Sequence, residues 1–441
     1  MFRLLLVVFA AFCVEFADAS SNRLAAQKTI VFDRIGTDDG LSQALATSVV
    51  QDDLGYVWIG TQEGLNRFDG FSFKHFYHQQ DNPASLRHER IWSLYSDSRG
   101  RLWVGTDAGL NLYSSSTEDF LPIDLRHDEQ GEPPVYALLE DGSGQIWVGT
   151  ADGLYSISQN LNELVVTEHS EWGVNFGVRA IAVSQDGQSL WLGSDVNGLY
   201  EYKIESDLVA WYSDITGLPI LDDLKVRELI YDQEGQLWIA TFDGGVSRLD
   251  VERETVQRFT IDRRNPRALG SSRVRTLLRD NNDDIWVGSD FGLHLWDGED
   301  GFTRFENDLT NPRSLSDNSV HSLYQDEGGV VWVGTFHGIS KWNANVSTFP
   351  LFKRPTEVST ELSSTNVTSF AEDSSSNIWV GTLSGLMKWD SEEKELSYSS
   401  ADELGLLDFR VMSLASRGEE LWVGTVSEGV NILKNGQLVA N

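Results

Sequence analysis

Trp103-Val104-Gly105-Thr106 is one of nine copies of a short phrase in this chain. Each copy has Trp, a branched aliphatic residue, usually Gly, and then Thr or Ser, and successive tryptophans lie 43 to 48 residues apart. The copies begin at Trp58, Trp103, Trp147, Trp191, Trp238, Trp286, Trp332, Trp379 and Trp422. A period of this length, with strand-like sequence in every copy, predicts an all-β fold, a β-propeller of four-stranded blades.

The second copy illustrates how one blade is expected to form. Residues 91–95 alternate and predict a first strand, and the Asp-Ser-Arg-Gly sequence at 97–100 predicts a tight turn. Residues 102–106 and 110–113 predict the second and third strands, and residues 120–123 are the candidate fourth. An Asp carboxylate accepts turn N–H groups and Gly tolerates positive φ, so this turn sequence suits a hairpin.

The same Asp recurs six residues before the Trp in seven copies, at Asp52, Asp97, Asp141, Asp232, Asp280, Asp326 and Asp373. These Asp-containing turns could be taken for calcium loops, but they lack the 12-residue spacing and the closing Glu of an EF-hand. Turn chemistry is therefore the favoured interpretation, and we expect no metal and no cofactor. The Gly of each Trp phrase is expected to leave room for close packing between blades.

The N-terminus has the features of a secretory signal peptide, assigned to residues 1–19. Arg3 is followed by an apolar run over residues 4–14, and Ala17-Asp18-Ala19 is an A-x-A cleavage site. Glu15 is unusual near the end of such a run, which leaves an uncleaved anchor as the alternative. Cys13, the single cysteine, lies in this segment, so the mature chain would have no disulfide. The expected location is periplasmic or secreted.

The 441 residues carry a formal net charge of -33. A chain this acidic repels phosphate backbones, which argues against nucleic-acid binding. No stretch after the N-terminal segment approaches the ~18 apolar residues that would predict a membrane-spanning helix.

The amino-acid sequence of the first repeat is similar to that of a known family. Residues 32–35 read Phe-Asp-Arg-Ile, residues 39–43 read Asp-Gly-Leu-Ser-Gln, and residues 52–61 and 64–70 complete the first Trp repeat. This sequence resembles the opening of the two-component regulator propeller family, and the resemblance covers essentially all of residues 29–441. It implies a periplasmic sensor that binds an oligo- or polysaccharide or another small ligand. Family members usually carry two seven-bladed propellers, an immunoglobulin-like domain, a membrane helix and then a histidine kinase or diguanylate cyclase.

This chain departs from that plan because it has nine repeats rather than fourteen. We expect a seven-bladed ring over residues 29–350 and two blades of an incomplete second propeller over residues 351–441, as in a truncated receptor. A single nine-bladed ring is the alternative. Residues 29–35 are expected to supply an outer strand that completes the last blade of a ring. A membrane histidine kinase or diguanylate cyclase portion is the implied partner, and a homodimer is left open.

Ligand binding is expected where the repeats differ from one another, on the face that carries the inter-blade loops. The first strand of each blade follows the pattern Val-x-small-Leu, and three consecutive blades have Arg at x, followed by His. The turns between second and third strands add aromatic rings and His337. The candidate site residues are Arg179, Arg227, Arg275, His321, Phe242, Phe291, Phe336 and His337.

Arginine forks suit carboxylate or sulfate, and aromatic faces suit the apolar side of a pyranose. We therefore expect a site for an anionic oligosaccharide at the channel mouth of blades four to seven. The alternative is structural: each Arg pairs with Asp195, Asp243 or Asp290 and joins neighbouring blades.

The competing functional class is an enzyme, since streptogramin lyases are built from comparable repeats and some propellers are polysaccharide lyases or hydrolases. His321 and His337 would share one face of blade seven, but a pair of histidines is weak support for catalysis. The sequence has neither G-x-S-x-G nor H-E-x-x-H. A protein-interaction scaffold is a third alternative, and it would need an exposed apolar patch. We expect a sensor module with no catalytic residues of its own.

Overall fold

A computed structural model describes residues 30–126, 131–160, 163–169, 176–212, 214–215, 218–219, 221–299, 301–343, 366–389, 396–399, 404–406, 408–434 and 437–440. The expected signal peptide lies outside these ranges, so its assignment stays a prediction. No helix within them is long and apolar enough to cross a membrane. The chain divides into two compact units, Met1–Thr348 and Phe349–Asn441.

Nine four-stranded antiparallel sheets form the described structure, and each carries one Trp phrase on its second strand. The first three sheets, called blades one to three, comprise Ala46–Gln51, Val57–Thr61, Leu65–Phe68 and Phe73–Phe76; Ile91–Ser96, Leu102–Thr106, Gly109–Ser114 and Asp119–Ile123; and Val135–Glu140, Ile146–Thr150, Gly153–Asn160 and Glu163–His169. A single 3-10 turn, Thr37–Asp39, precedes blade one.

The remaining blades of the first unit repeat this order of strands. Blades four to six comprise Val178–Val183, Ser189–Ser194, Leu199–Lys203 and Leu208–Trp211; Val226–Tyr231, Leu237–Thr241, Val246–Asp250 and Thr255–Phe259; and Val274–Arg279, Ile285–Ser289, Gly292–Trp296 and Phe302–Phe305. Blade seven has Val320–Gln325, Val330–Thr335, Gly338–Asn343 and, outermost, Asp33–Ile35. A short pair, Asp214–Ile215 with Leu218–Pro219, follows blade four.

The seven blades of the first unit close into a ring. Their first strands pack side by side in chain order, and the first strand of blade seven packs against that of blade one. At this closure the Ser322 hydroxyl donates to the Ala46 carbonyl at 3.2 Å. The N-terminal strand completes blade seven, as the sequence predicted, with Ile35 paired to Ile339. Because the N-terminal strand pairs with its third strand, blade seven has four strands, as its neighbours do.

Three outer strands begin in the same way, at a buried Phe whose N–H donates to a carbonyl of an Asn-Pro-x-x-Leu loop. The three bonds, at 2.7 to 2.9 Å, are Phe32 to Arg313, Phe120 to Ala84 and Phe302 to Arg267. Phe32 therefore has the role in blade seven that Phe120 has in blade two. Arg34 adds side-chain bonds to the same loop, with its Nε donating to the Ser314 carbonyl at 2.8 Å.

The Asp of each repeat binds its own Trp as well as the turn. In all seven copies that have it, one carboxylate oxygen accepts the indole N–H at 2.7 to 2.9 Å. The other oxygen accepts N–H groups of the turn, such as those of Asn282 and Asp284 on Asp280. In blade four, which lacks the Asp, the Trp191 indole donates to the Tyr231 hydroxyl at 2.7 Å. The seven tryptophans of the ring are at most 4% exposed.

The glycine of the Trp phrase allows close packing between blades, as expected. A Cβ on Gly193 would lie 2.4 Å from Cγ1 of Val226 in the next blade, and one on Gly149 would lie 2.8 Å from the Val178 carbonyl oxygen. No real Cβ tolerates such contacts, so a larger residue would force the blades apart.

The second unit contains two sheets of the same type. Their strands are Val367–Glu372, Ile378–Thr382, Gly385–Trp389 and Leu396–Ser399, and Val411–Arg417, Glu420–Thr425, Val430–Lys434 and Gln437–Ala440. The first strands of the two sheets pack against each other around a core that includes Trp379 and Leu386. Trp422 of the second sheet is 37% exposed.

Candidate ligand-binding site

The variable residue of each first strand is the extra residue of a β-bulge. In all nine blades the pairing between first and second strands shifts at this position, so that Val226 pairs with Thr241 and Glu228 with Ala240 while Arg227 has no partner. A bulge bends the strand and redirects a side chain out of the regular alternation. The repeat thus offers one specially directed side chain per blade.

The seven variable residues of the ring all line one central cavity of about 1290 Å³. They are Thr47, Trp92, Tyr136, Arg179, Arg227, Arg275 and His321, in blade order. The wall is therefore aromatic at blades two and three and cationic at blades four to six. Among the described residues, no group of three His, Cys, Asp or Glu side chains is placed to hold a metal ion.

Three guanidinium groups share two carboxylates at this wall. Asp195 accepts both from Nε of Arg179 at 2.9 Å and from Nη1 of Arg227 at 3.0 Å. Nε of Arg275 donates to Asp290, which also accepts from the Ser319 hydroxyl at 3.4 Å. The side chains of these Arg residues are 20 to 30% exposed. The ion pairs expected under the structural alternative are thus present, but the charges do not balance.

Two of these arginines, Arg179 and Arg275, keep their terminal nitrogens available for a ligand. Within the described part of the chain, neither Nη atom of Arg179 or Arg275 has a hydrogen-bond partner, because both residues use only Nε. Nε of Arg227 is buried and also lacks a partner among those residues. The paired terminal nitrogens are the edge of the guanidinium that binds a carboxylate in a bidentate manner.

Phe242 brings the cations of blades five and six together. Four cationic groups lie within 6 Å of the centre of its ring: Lys225 at 5.6 Å, Arg227 at 4.8 Å, Arg273 at 5.2 Å and Arg275 at 5.8 Å. The negative face of an aromatic ring attracts cations, which offsets part of their mutual repulsion. Phe242 thus supports a concentration of positive charge in a strongly acidic protein.

The pKa shifts report this positive surrounding. Burial, and next the charge of Arg179, lower the pKa of Arg227. Burial, followed by the charge of Arg275, lowers the pKa of His321 to about 4. His321 is therefore neutral at pH 7, and its Nε2 lies 3.1 Å from the Ser319 hydroxyl. It can offer a hydrogen bond to a ligand but no charge.

The other predicted site residues lie on the turns and do not line the cavity. Phe291 and Phe336 are 47% and 50% exposed. Nδ1 of His337 lies 2.7 Å from the Asp317 carboxylate. The ring of Phe336 stands beside both His321 and His337, with centres at 6.4 and 5.0 Å. The structure thus separates the eight predicted residues into an inner set of three Arg and His321 with Phe242 beside it, and an outer set.

Sequence reasoning left Trp92 and Tyr136 out of the candidate site. Their rings meet edge to face at 5.5 Å, and the Arg179 guanidinium lies 3.7 Å from the centre of the Tyr136 ring. The Trp92 indole donates to Asp107 at 2.8 Å. The signal that could have found them is the variable position itself, which they share with the three arginines.

The chain is similar in sequence and in fold to known proteins. Residues 85–108, 129–152, 268–291, 314–337 and 361–384 match the family described as two component regulator propeller. A 62-residue segment is 37% identical to histidine kinase P4 of Formosa agariphila, which covers 14% of this chain and 4% of that protein.

Solved structures share the fold. The extracellular domain of the putative hybrid two component system BT3049 from B. thetaiotaomicron has a TM-score of 0.69 and 22% identity, over 92% of this chain and 53% of that one. The extracellular domain of the putative one component system BT4673 has a TM-score of 0.58 and 22% identity, over 93% and 53%. A streptogramin B lyase has a TM-score of 0.54 and 14% identity, over 71% of this chain and 97% of the lyase.

The chain thus spans about half the length of these two extracellular domains. The five profile matches fall on the repeats at Trp103, Trp147, Trp286, Trp332 and Trp379, and the fold is that of nine such repeats. Five of the nine repeats thus match the two component regulator propeller family.

Proposed function

We propose that the chain is the extracellular or periplasmic sensor part of a two-component-type receptor and that it binds a ligand without transforming it. The similar solved domains are described as extracellular parts of putative signalling systems, and the matched curated protein is a histidine kinase. A histidine kinase or diguanylate cyclase portion would convert binding into a signal. The proposed arrangement is a signal peptide over residues 1–19, a first propeller over residues 29–350 and blades of a second over residues 351–441.

The ligand we propose is an anionic oligosaccharide at the mouth of the central cavity. The observation that carries this is the set of three arginines that share two carboxylates and keep terminal nitrogens without partners among the described residues. Trp92 and Tyr136, on the adjoining wall, provide aromatic faces for sugar rings. A cavity of about 1290 Å³ has room for several sugar units.

Isothermal titration of the purified protein with uronic-acid oligomers tests this proposal. Neutral oligomers of the same length should bind more weakly, and added salt should weaken the acidic ligands most. Replacing Arg227 and Arg275 by Ala should reduce the affinity for uronic acids at least tenfold, which corresponds to about 1.4 kcal/mol. Arg253→Ala is the matched control, since this side chain of blade five is 78% exposed and lies on an outer hairpin. Unchanged binding in the double variant would refute the site.

An enzyme is the second candidate, because the ring shares its fold with a streptogramin B lyase. Incubation with acidic polysaccharides, followed by assays for new reducing ends and unsaturated products, distinguishes the two functions. A sensor should give a thermal shift with no product. Product formation that His321→Ala abolishes would support the enzyme instead.

A further inference from the structure

Blade five breaks the repeat at two positions that face each other. In the other eight blades the residue after the variable position is Ser, Ala or Thr, and it pairs with the glycine of the Trp phrase. In blade five the residue after the variable position is Glu228, the glycine is replaced by Ala240, and the two residues pair directly. The two departures therefore belong to one local change.

The reason lies in the space beside the glycine. A Cβ on Gly105 would lie 2.2 Å from Oγ of Ser93, and one on Gly334 would lie 2.1 Å from Oγ of Ser322. The small side chain thus occupies the space that the glycine leaves open. In blade five the Ala240 methyl group, which is fully buried, takes part of that space. A longer side chain at position 228 is excluded from it, and Glu228 lies in the wall of the central cavity.

At this level of the cavity the wall is otherwise small and uncharged. The corresponding lining residues of the other blades are Ser48, Ser93, Ala137, Thr276 and Ser322. Glu228 is half-buried, and burial raises its pKa to about 7 although the backbone N–H of Leu229 favours the charged form. Within the described part of the chain no cation pairs with this carboxyl. A carboxyl held in this way gains from a bound cation, which would stabilise its charged form.

We propose that Glu228 is an inner subsite for an ammonium group of the same ligand whose carboxylate binds Arg227 and Arg275. This inference rests on the proposed function and narrows the ligand to a saccharide that carries both charges, a uronic acid joined to an unacetylated amino sugar. Arg227 and Glu228 are consecutive residues, and both line the cavity. The two charges of the ligand would therefore lie on the same or on neighbouring sugar rings.

Two matched probes test the subsite: a tetrasaccharide of alternating glucosamine and glucuronic acid, and its N-acetylated form. Both carry the same carboxylates, and only the first carries ammonium groups. We expect the first to bind the wild-type protein about tenfold more tightly in titration calorimetry at pH 7. Glu228→Gln should reduce this ratio to about one and leave the affinity for the N-acetylated probe within about twofold.

Glu228→Ser is a second variant, because it restores the residue type of the other blades. It should behave like Glu228→Gln, and both should unfold at a temperature no lower than that of the wild type, since a partly buried carboxyl is removed. A tenfold ratio that persists in both variants would overturn the inner subsite. The subsite is also overturned if the N-acetylated probe binds through Arg227 and the amine of the first probe adds no affinity. The proposed function would then stand. If neither probe binds, the proposed function fails together with the subsite.

Discussion

Asp195 of blade four accepts a hydrogen bond at 3.0 Å from Arg227 of blade five, across the junction between the blades. The same carboxylate accepts from Arg179 at 2.9 Å. It therefore holds two cations in place at the cavity wall and neutralises only one of them. The excess of positive charge at this wall suits the anionic ligand proposed above.

Asp195→Asn should lower stability, because it leaves the two guanidinium groups facing each other without a carboxylate. All three side chains are 20 to 30% exposed, so solvent screens the interaction and the loss should be about 1 kcal/mol. Urea unfolding measures this change. Uronic-acid oligomers should stabilise the variant more than the wild type, since the ligand then replaces the lost charge.

Asp124→Asn is the control for that experiment. Asp124 is 67% exposed and pairs with Arg87 on the outer surface, so its stability should change by less than about 0.5 kcal/mol. Equal stability of Asp195→Asn and the wild type, with no added response to the acidic ligand, would contradict the proposed role of Asp195.

Asp280→Ala should be strongly destabilising. The carboxylate is buried and accepts the Trp286 indole N–H at 2.9 Å and the N–H groups of Asn282 and Asp284 at 2.9 and 3.0 Å. Its loss leaves a buried indole N–H without an acceptor. We therefore expect the free energy of unfolding, measured with a chemical denaturant, to fall by about 2–4 kcal/mol. Asp280→Asn keeps one acceptor oxygen and should lose less.

The matched control is Asp283→Asn in the same turn, at a half-exposed residue with φ 63° that also tolerates Asn. It should cost less than about 0.5 kcal/mol. Comparable losses in Asp280→Ala and Asp283→Asn would show that the Asp–Trp bond contributes little to the stability of the blade.

The repeat sequence was sufficient to predict the fold and the turns. The Trp phrase identified the second strand of every blade, and the turn role of Asp280 followed from its place six residues before the Trp and its polar neighbours. The bond from Asp280 to Trp286 was not predicted, although the constant six-residue spacing was visible. Spacing along the chain gives proximity only when the hairpin register is known, and that register follows from the pairing of two strands.

The candidate site was predictable in part for a related reason. Arg179, Arg227 and Arg275 stood out because they vary at a fixed position of the repeat. Asp195 was expected to pair with an arginine and Phe242 to belong to the site, but their actual contacts were not predicted. Asp195 binds both Arg179 and Arg227, and the ring of Phe242 has four cations around it, through contacts that join different blades. A bulge is equally hidden, because a strand with one extra residue differs from a regular strand only through its partner.

Arg34→Ala should loosen the strand that completes blade seven. The Arg34 guanidinium donates to the carbonyls of Ser314 and Asn311 at 2.8 and 3.1 Å and to the Ser314 hydroxyl at 2.7 Å. Removing these bonds should cost about 1–2 kcal/mol and should speed hydrogen exchange at Ile339, which pairs with Ile35. Arg313→Ala is the control, because Phe32 uses only its carbonyl. Faster exchange in the control as well would assign the effect to the loop.

His294 should make the ring sensitive to acid. It is fully buried, its Nε2 accepts the Gly270 N–H at 2.8 Å, and its Nδ1 lies 3.3 Å from the Val287 carbonyl. Burial is the main cause that lowers its pKa to about 4. The unfolded chain binds a proton near pH 6.5 and the folded chain does not, so stability is highest above pH 6.5 and falls as the pH falls towards 4. Between pH 7.5 and pH 5 the contribution of His294 should lower the free energy of unfolding by about 2 kcal/mol.

His294→Asn tests this prediction with a residue that blades one and two already use. Asn66 and Asn111 accept the N–H groups of Ser42 and Arg87 at 2.9 and 3.1 Å, as His294 does from its own loop. The variant should match the wild type at pH 7.5 and should exceed it by about 2 kcal/mol at pH 5, as measured by urea unfolding at each pH. His321 also has its pKa lowered to about 4, so part of the acid sensitivity should remain. An unchanged difference between the two pH values would show that the imidazole of His294 becomes protonated in the folded ring at no cost.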